Sequence, residues 1–327
     1  MLLRFFNSSH VSALTVGLII LTLSFVVSYH FGSFAWLPLD AAVLPIGGRL
    51  LSQIPVWVGY PLSYGLLFIG STLVRQLLLR YISGITHSHL IVFLLPLLVG
   101  GLGLGAHNLL PPLVALLLLA LALAMILSTL HAVQVLSRIF IISVLIGISS
   151  FFYLPALFFS FAPLFVLLNR NVMGLRGILL IILGVALPAA FLLFICWLLG
   201  TEPYPYYPLT TLWNLSPTTL WTWSRWNPIR PLYMIGIFLL WIPTLWHVRN
   251  PHKVHRTNYF LVRNILFWDF IIAFLSIFLV RDPFYMLPIT FSLFSIIVCY
   301  TFPYTSGWLS NILFTLILCS GIALHFL

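Results

Sequence analysis

Acidic residues are scarce in this chain of 327 residues, which contains only Asp40, Glu202, Asp269 and Asp282. Charged residues make up 6% of the sequence, whereas hydrophobic residues make up 62%. Soluble domains carry about 25% charged residues, because they need a hydrated surface. The scarcity therefore excludes an ordinary soluble protein and indicates a chain that lies in lipid. It also makes the four acids the best clue to chemistry.

The motifs of many soluble enzymes are also missing. Cys196, Cys299 and Cys319 lie in apolar runs without CxxC spacing, which is typical of packing residues. His252 and His255 could share a helix face, but the basic residues around them favour anionic lipid head groups over a metal. There is no Walker lysine and no GxSxG motif, and the net charge of +10 is spread over many loops. The sequence thus predicts no metal site and no nucleic-acid binding, and it identifies no cofactor.

Apolar runs fill the chain and set its architecture. A helix needs about 20 apolar residues to cross a bilayer, and proline, glycine, arginine and histidine mark the breaks between runs here. We predict an all-α fold: one polytopic transmembrane domain over 1–327 with about 10–11 helices, and external loops at 32–55 and 200–231. The predicted helices are 11–31, 56–79, 89–106, 112–131, 139–151, 154–168, 178–199, 232–247, 264–280, 284–300 and 307–326.

The distribution of basic residues predicts the orientation of these helices. With the N-terminus in the cytoplasm, all but four of the 14 lysines and arginines lie inside, as the positive-inside rule requires. The C-terminus is then outside, and Asp269 lies just within the membrane. The first apolar run is interpreted as a retained helix, because it is long enough to span and further spans follow it. The charged residues placed outside are Asp40, Arg49, Glu202, Arg225, Arg230, Arg281 and Asp282.

The segment from Arg138 to Arg170 has basic ends and about 31 apolar residues between them. This length is too great for one span and too small for two full spans. We predict a break near 151–155, with two short helices that enter the membrane and return. Irregular backbone at membrane depth occurs where it is buried by protein or lines a cavity, so the break is expected to border a functional cavity. An ordinary proline kink is the alternative.

The external loops carry the candidate site residues. In the first loop, the lone carboxylate of Asp40 can act as a general base or bind a metal, or it can form an ion pair with Arg49. The second loop carries Glu202 and an aromatic run with Arg225 and Arg230. Aromatic rings with arginine can stack on sugars or bind phosphate, although tryptophan and tyrosine also concentrate at membrane interfaces for physical reasons alone.

A third external turn begins with the adjacent pair Arg281 and Asp282, which can bind substrate or form only a local structural contact. Asp269 is the one acid expected inside the membrane. An acid at that depth is a candidate for ion coupling in a transporter, but a single such residue weakens this interpretation.

Two resemblances follow from the central segment. The sequence from Val144 to Leu157, then Asn169, Arg170 and Arg176, resembles a multipass family of unknown function from the inner membranes of Bacteroidota, and the segments 3–8 and 75–81 fit that family too. The resemblance implies a multi-pass protein of the bacterial inner (cytoplasmic) membrane. It covers most of the chain, through hydrophobic motifs.

The same segment is similar to the middle of GT-C glycosyltransferases, which use polyprenyl-phosphate sugars. Arg281 followed by Tyr285-Met-Leu-Pro288 resembles their late arginine-tyrosine-leucine-proline segment. In that family an acid of the first external loop serves as base or metal ligand, and Asp40 occupies the matching place. Many members carry two acids there, so loss of activity or a structural role on the same scaffold stays open.

The leading functional hypothesis is a GT-C-like protein that handles a lipid-linked saccharide or related anionic lipid at the external face. Its partners would be membrane lipids and a polyprenyl-phosphate-linked substrate. Asp40 would be the base. The expected substrate-binding residues are Arg49, Glu202, Arg225, Arg230, Arg281 and Asp282. The main alternative is a non-catalytic subunit of a multi-protein membrane complex, and transport is a third class.

Overall fold

The computed structural model describes residues 11–31, 45–81, 90–101, 106–129 and 134–201, and also 267–269, 271–272, 275, 289–290, 293, 311–312, 314–319 and 322. The protein is helical in these residues and has no strand in them. The α-helices are α1 (Val11–Phe31), α2 (Ile46–Ser52), α3 (Val56–Tyr81), α4 (Leu90–Gly101), α5 (Ala106–Ser128), α6 (Val135–Ser149), α7 (Ala162–Asn169) and α8 (Leu175–Leu199), and a 3₁₀ helix covers Leu154–Phe161.

Most predicted helices in the described part are found, with two corrections. The helix expected at 112–131 begins at Ala106, because Pro111 and Pro112 lie in its second turn and do not end it. A proline this close to the start of a helix removes few hydrogen bonds within it. The second correction is α2, a short helix inside the segment 32–55 that was predicted as a loop. The predicted helix 232–247 lies outside the described residues, and the last three are described only in part.

The predicted break between Arg138 and Arg170 is confirmed. α6 ends at Ser149, and the next helical residues begin at Leu154. The returning helix, predicted over 154–168, is 3₁₀ in its first half and becomes an α-helix only at Ala162. Pro163 explains this change of geometry, since it cannot donate the hydrogen bond that an α-helix would need there and fits best in a first turn.

Three helical stretches of the described chain are long and apolar enough to cross a membrane: Trp57–Gln76, Leu110–Ser128 and Leu175–Leu199. Only 17% of the Leu175–Leu199 stretch is buried against the rest of the protein, compared with 67% of the Leu110–Ser128 stretch. The exposed side chains of α8 include Phe191, Phe194 and Trp197. Exposure of such an apolar surface to water is strongly unfavourable, whereas contact with lipid tails is not. The described chain is therefore that of a helical membrane protein.

Several buried serine hydroxyls donate to carbonyls of their own helices. Ser63 Oγ donates to the Gly59 carbonyl at 2.8 Å, and Ser143 Oγ donates to the Ile139 carbonyl at 2.8 Å. No water is available in a membrane interior to satisfy polar groups, and these bonds remove the need for it. A serine can then occupy a helix interface where a larger side chain would not fit.

The two ends of α6 make different polar contacts. At its start, Arg138 Nη1 donates to the carbonyl and the Oγ of Ser128, at 2.9 and 2.7 Å, and so joins α5 to α6. Beyond its end, the Phe151 carbonyl accepts a hydrogen bond from α2, the helix that contains Arg49. Arg138 and the helix that contains Arg49 therefore lie toward opposite ends of α6, a helix about 22 Å long. The predicted topology also puts these two arginines on opposite sides.

Thiol labelling can test the predicted topology directly. Cysteines introduced by Glu202→Cys and His252→Cys are expected to react with a membrane-impermeant reagent from opposite sides, because the predicted spans place position 202 outside and position 252 inside. The unsubstituted chain, whose cysteines lie in apolar runs, gives the background. Reaction of both positions from one side would contradict the topology and the external site with it.

Candidate functional site

The segment predicted as the first external loop contacts the break after α6 through α2. Gly47 N and Gly48 N donate to the Phe151 carbonyl, at 3.0 and 3.3 Å. The first N–H groups of any helix have no partner within that helix, and the carbonyls after a helix end have none either. Here the start of α2 and the end of α6 satisfy each other. This contact holds the two segments at one end of the described structure.

Glycine is required at the point of closest approach. A Cβ at Gly47 would lie 2.8 Å from Phe152 Cδ1 and 2.9 Å from the Phe151 carbonyl oxygen. The second of these atoms is backbone and cannot move aside by a side-chain rotation. Any larger residue at position 47 would therefore push α2 away from the break.

Arg49 is the predicted site residue that the structure describes. It lies on α2 and is half-buried. Its backbone N–H and its backbone carbonyl both form hydrogen bonds. Its N–H donates to the Pro45 carbonyl at 2.9 Å, and its carbonyl accepts from Ser52 Oγ at 2.8 Å. A cationic side chain is thus held beside the helix break. The other predicted site residues lie outside the described residues: Asp40, Glu202, Arg225, Arg230, Arg281 and Asp282.

A cavity of about 40 Å³ lies among the packed helices. Its position and lining were not predicted from the sequence. Its described lining comes from α3, α4, α5, α6, the 3₁₀ helix, the first residue of α7 and three residues of the C-terminal third of the chain. Ile146 and Phe159, which lie before and after the break, both contribute to it. The residues of the break itself, 150–153, are not among the described lining, so the expectation that the break borders a functional cavity stays a prediction. Arg49 is not among the described lining residues.

Asp269 is the acid that lines the cavity, and only 3% of its surface is exposed. The sequence had identified it as the single acid within the membrane, but an isolated acid gave no sign of a cavity around it. Among the described residues, no group of three or more histidines, cysteines or acids could bind a metal ion.

Comparison of the chain with family descriptions, with curated proteins and with solved structures gave no match. What the described residues define is a helical membrane protein with an apolar interior cavity and a glycine contact that holds the first loop on a helix break. Function has to be inferred from these features.

Proposed function

We propose that the protein holds a lipid-linked saccharide or a related anionic lipid at the external face of the bacterial inner membrane, and that GT-C-like glycosyl transfer is its chemistry. In this proposal Asp40 is the base, and Arg225, Arg230 and Arg281 bind phosphate. Glu202 and Asp282 contribute to the substrate site. No described residue tests these roles, which come from the sequence.

The observation that supports the proposal is the contact of Gly47 and Gly48 with Phe151. It brings the segment that follows Asp40 in the chain to the end of a broken helix, and it holds Arg49 there. A planar guanidinium group is suited to bind two oxygens of a phosphate through two parallel hydrogen bonds. An anionic head group at this end would keep its hydrocarbon chain along apolar surfaces such as that of α8.

The exposed face of α8 also favours the second candidate, a non-catalytic subunit of a membrane complex. Large apolar side chains such as Leu183, Leu187 and Phe191 are exposed along it. Another transmembrane helix could pack there in place of lipid. In that case the protein would be recovered with a stoichiometric partner and without a bound lipid-linked saccharide.

Native mass spectrometry of the protein purified in mild detergent distinguishes the two candidates. We expect a retained lipid that contains phosphate and sugar, and we expect Arg49→Gln to reduce its retained fraction by about tenfold or more. Hydrogen bonds to charged groups contribute about 1.5–3 kcal/mol, and about 1.4 kcal/mol corresponds to a factor of ten.

Arg75→Gln is the matched control, because it makes the same change on α3 at the end remote from α2. It should leave the retention of the lipid-linked saccharide unchanged. Equal retention by the Arg49 and Arg75 variants would contradict the role of Arg49. Purification with a stoichiometric protein and no such lipid would favour the subunit.

A further inference from the structure

Asp269 is enclosed by apolar groups on every described side of its cavity. α3 contributes Gly70 and Val74, α5 contributes residues such as Leu119 and Leu123, and the 3₁₀ helix contributes Phe159. The nearby C-terminal residues on the lining, Ile289 and Leu293, are apolar as well. No other described lining residue carries a titratable side chain or a charge. The described residues also contain no hydrogen bond or ion pair to Asp269.

A carboxylate ion in such a place is strongly disfavoured, since burial removes its hydration and nothing described replaces it. Acids within the membrane-embedded part of a protein are rare for this reason and usually serve a function. The side chain needs a positively charged ligand that neutralises it. The size and lining of the cavity decide which ligand fits.

A metal ion fits poorly in this cavity. Hard cations bind several oxygen ligands at once, and the described lining provides the two oxygens of a single carboxylate. The volume of about 40 Å³ would hold roughly three waters at about 10–15 Å³ each, but each would need two to four polar partners. A proton needs neither space nor additional ligands.

We propose that Asp269 is a proton-binding site within the apolar interior of the protein. A proton taken from water binds one carboxylate oxygen and forms an O–H group, and the negative charge of the site is removed. Loss of the proton leaves a carboxylate that draws water into the cavity. Binding and release of a proton would thus couple the hydration of the cavity to pH. This proposal does not depend on the function of the proposed external site.

The test uses dicyclohexylcarbodiimide, an apolar reagent that reacts with protonated carboxyl groups. The O–H of the acid adds across one C=N bond of the reagent, and the O-acylisourea rearranges to a stable N-acylurea with no other product. Native membranes that contain the full chain are treated at a series of pH values, and the peptide with residue 269 is analysed by mass spectrometry. We expect modification of Asp269 near neutral pH, with a yield that falls as the pH rises.

Two controls keep the result specific. Asp269→Asn should abolish the modification of that peptide, whereas Asp269→Glu should retain it. Addition of sodium or potassium at constant pH should give no protection. The proposal is overturned by protection with either ion, which would identify a metal-cation site. It is also overturned if the wild-type residue in native membranes is modified no more than after denaturation in detergent at the same pH, because an exposed aspartate is ionised near neutral pH and the native one would then be ionised as well.

Discussion

Replacing Asp40 by asparagine is expected to lower the activity of the protein by about 10²–10⁴-fold, the usual effect of removing a general base, while its abundance in the membrane stays normal. The amide of asparagine has nearly the shape of the carboxylate but cannot accept the proton. Activity can be followed without knowledge of the product, in cells that lack the chromosomal copy and express the variant. Mass spectrometry of lipid extracts would show an unconsumed lipid-linked saccharide, and immunoblotting would give the protein level.

The competing role of Asp40 is an ion pair with Arg49, and it has a different signature. In that case Asp40→Asn should lower abundance or assembly, and Arg49→Gln should lower them to a similar extent. Asp40→Glu is the conservative control, because it keeps the charge and displaces it by one methylene group. Normal cellular function of Asp40→Asn at normal expression would remove the enzyme hypothesis.

The helix break was predictable because its causes are local. The apolar run from Arg138 to Arg170 has a length that suits neither one span nor two, and Gly147 and Pro155 lie near its middle. Proline restricts the backbone whatever its surroundings, so the break could be placed within a few residues. The change to 3₁₀ geometry was not predicted, since it depends on how the turn before Pro163 is completed.

α2 was not predictable from local sequence, because Gly47 and Gly48 have low helix propensity and lie in a segment rich in proline. What stabilises this helix is a contact with Phe151, about 100 residues further along the chain. Those same glycines allow the contact, since a side chain at position 47 would meet the Phe151 carbonyl. The sequence showed the glycines but not the partner that makes them necessary.

The candidate site residues were likewise only partly predictable from the sequence. Asp269 could be singled out from its apolar surroundings in the sequence, but its cavity is built from helices that are distant in the chain and could not be inferred from one of them. The external residues were chosen by topology and by resemblance. Of these, Arg49 is described, and its helix contacts the break after α6. Its position outside the membrane stays a prediction. The convergence of Asp40 with Arg225, Arg230 or Arg281 stays a prediction.

The contact between α6 and α8 gives a second feature that the sequence did not reveal. The two helices approach closely through small residues: Gly184 of α8 faces Ser143, and Gly147 of α6 faces Pro188. Each helix thus places two such positions four residues apart on the face toward its partner. Small residues at this spacing let helix backbones approach in membranes, where dispersion and close packing replace the hydrophobic effect as the cause of association.

Gly184→Ala is expected to destabilise the protein by about 1–3 kcal/mol, the usual cost of adding a methyl group to a packed interface. The new Cβ would lie 2.6 Å from Ser143 Cβ and 2.9 Å from the Phe140 carbonyl oxygen, and the latter belongs to the backbone of α6. α8 would have to move outward along its length, since a helix does not yield at one residue. The measurement is the midpoint of thermal unfolding in detergent micelles, or the concentration of denaturing detergent that unfolds half of the protein.

Gly65→Ala is the matched control for this prediction, because Gly65 also lies within a long helix, α3, and a Cβ there meets no atom within 4 Å. Alanine has a helix propensity better than that of glycine by about 0.8–1.0 kcal/mol, so this variant should be at least as stable as the wild type. The intrinsic gain is the same at position 184, and the difference between the two variants therefore isolates the steric cost of the α6–α8 contact. Equal stability of the two variants would show that the helices do not approach as closely as the Gly184–Ser143 contact requires.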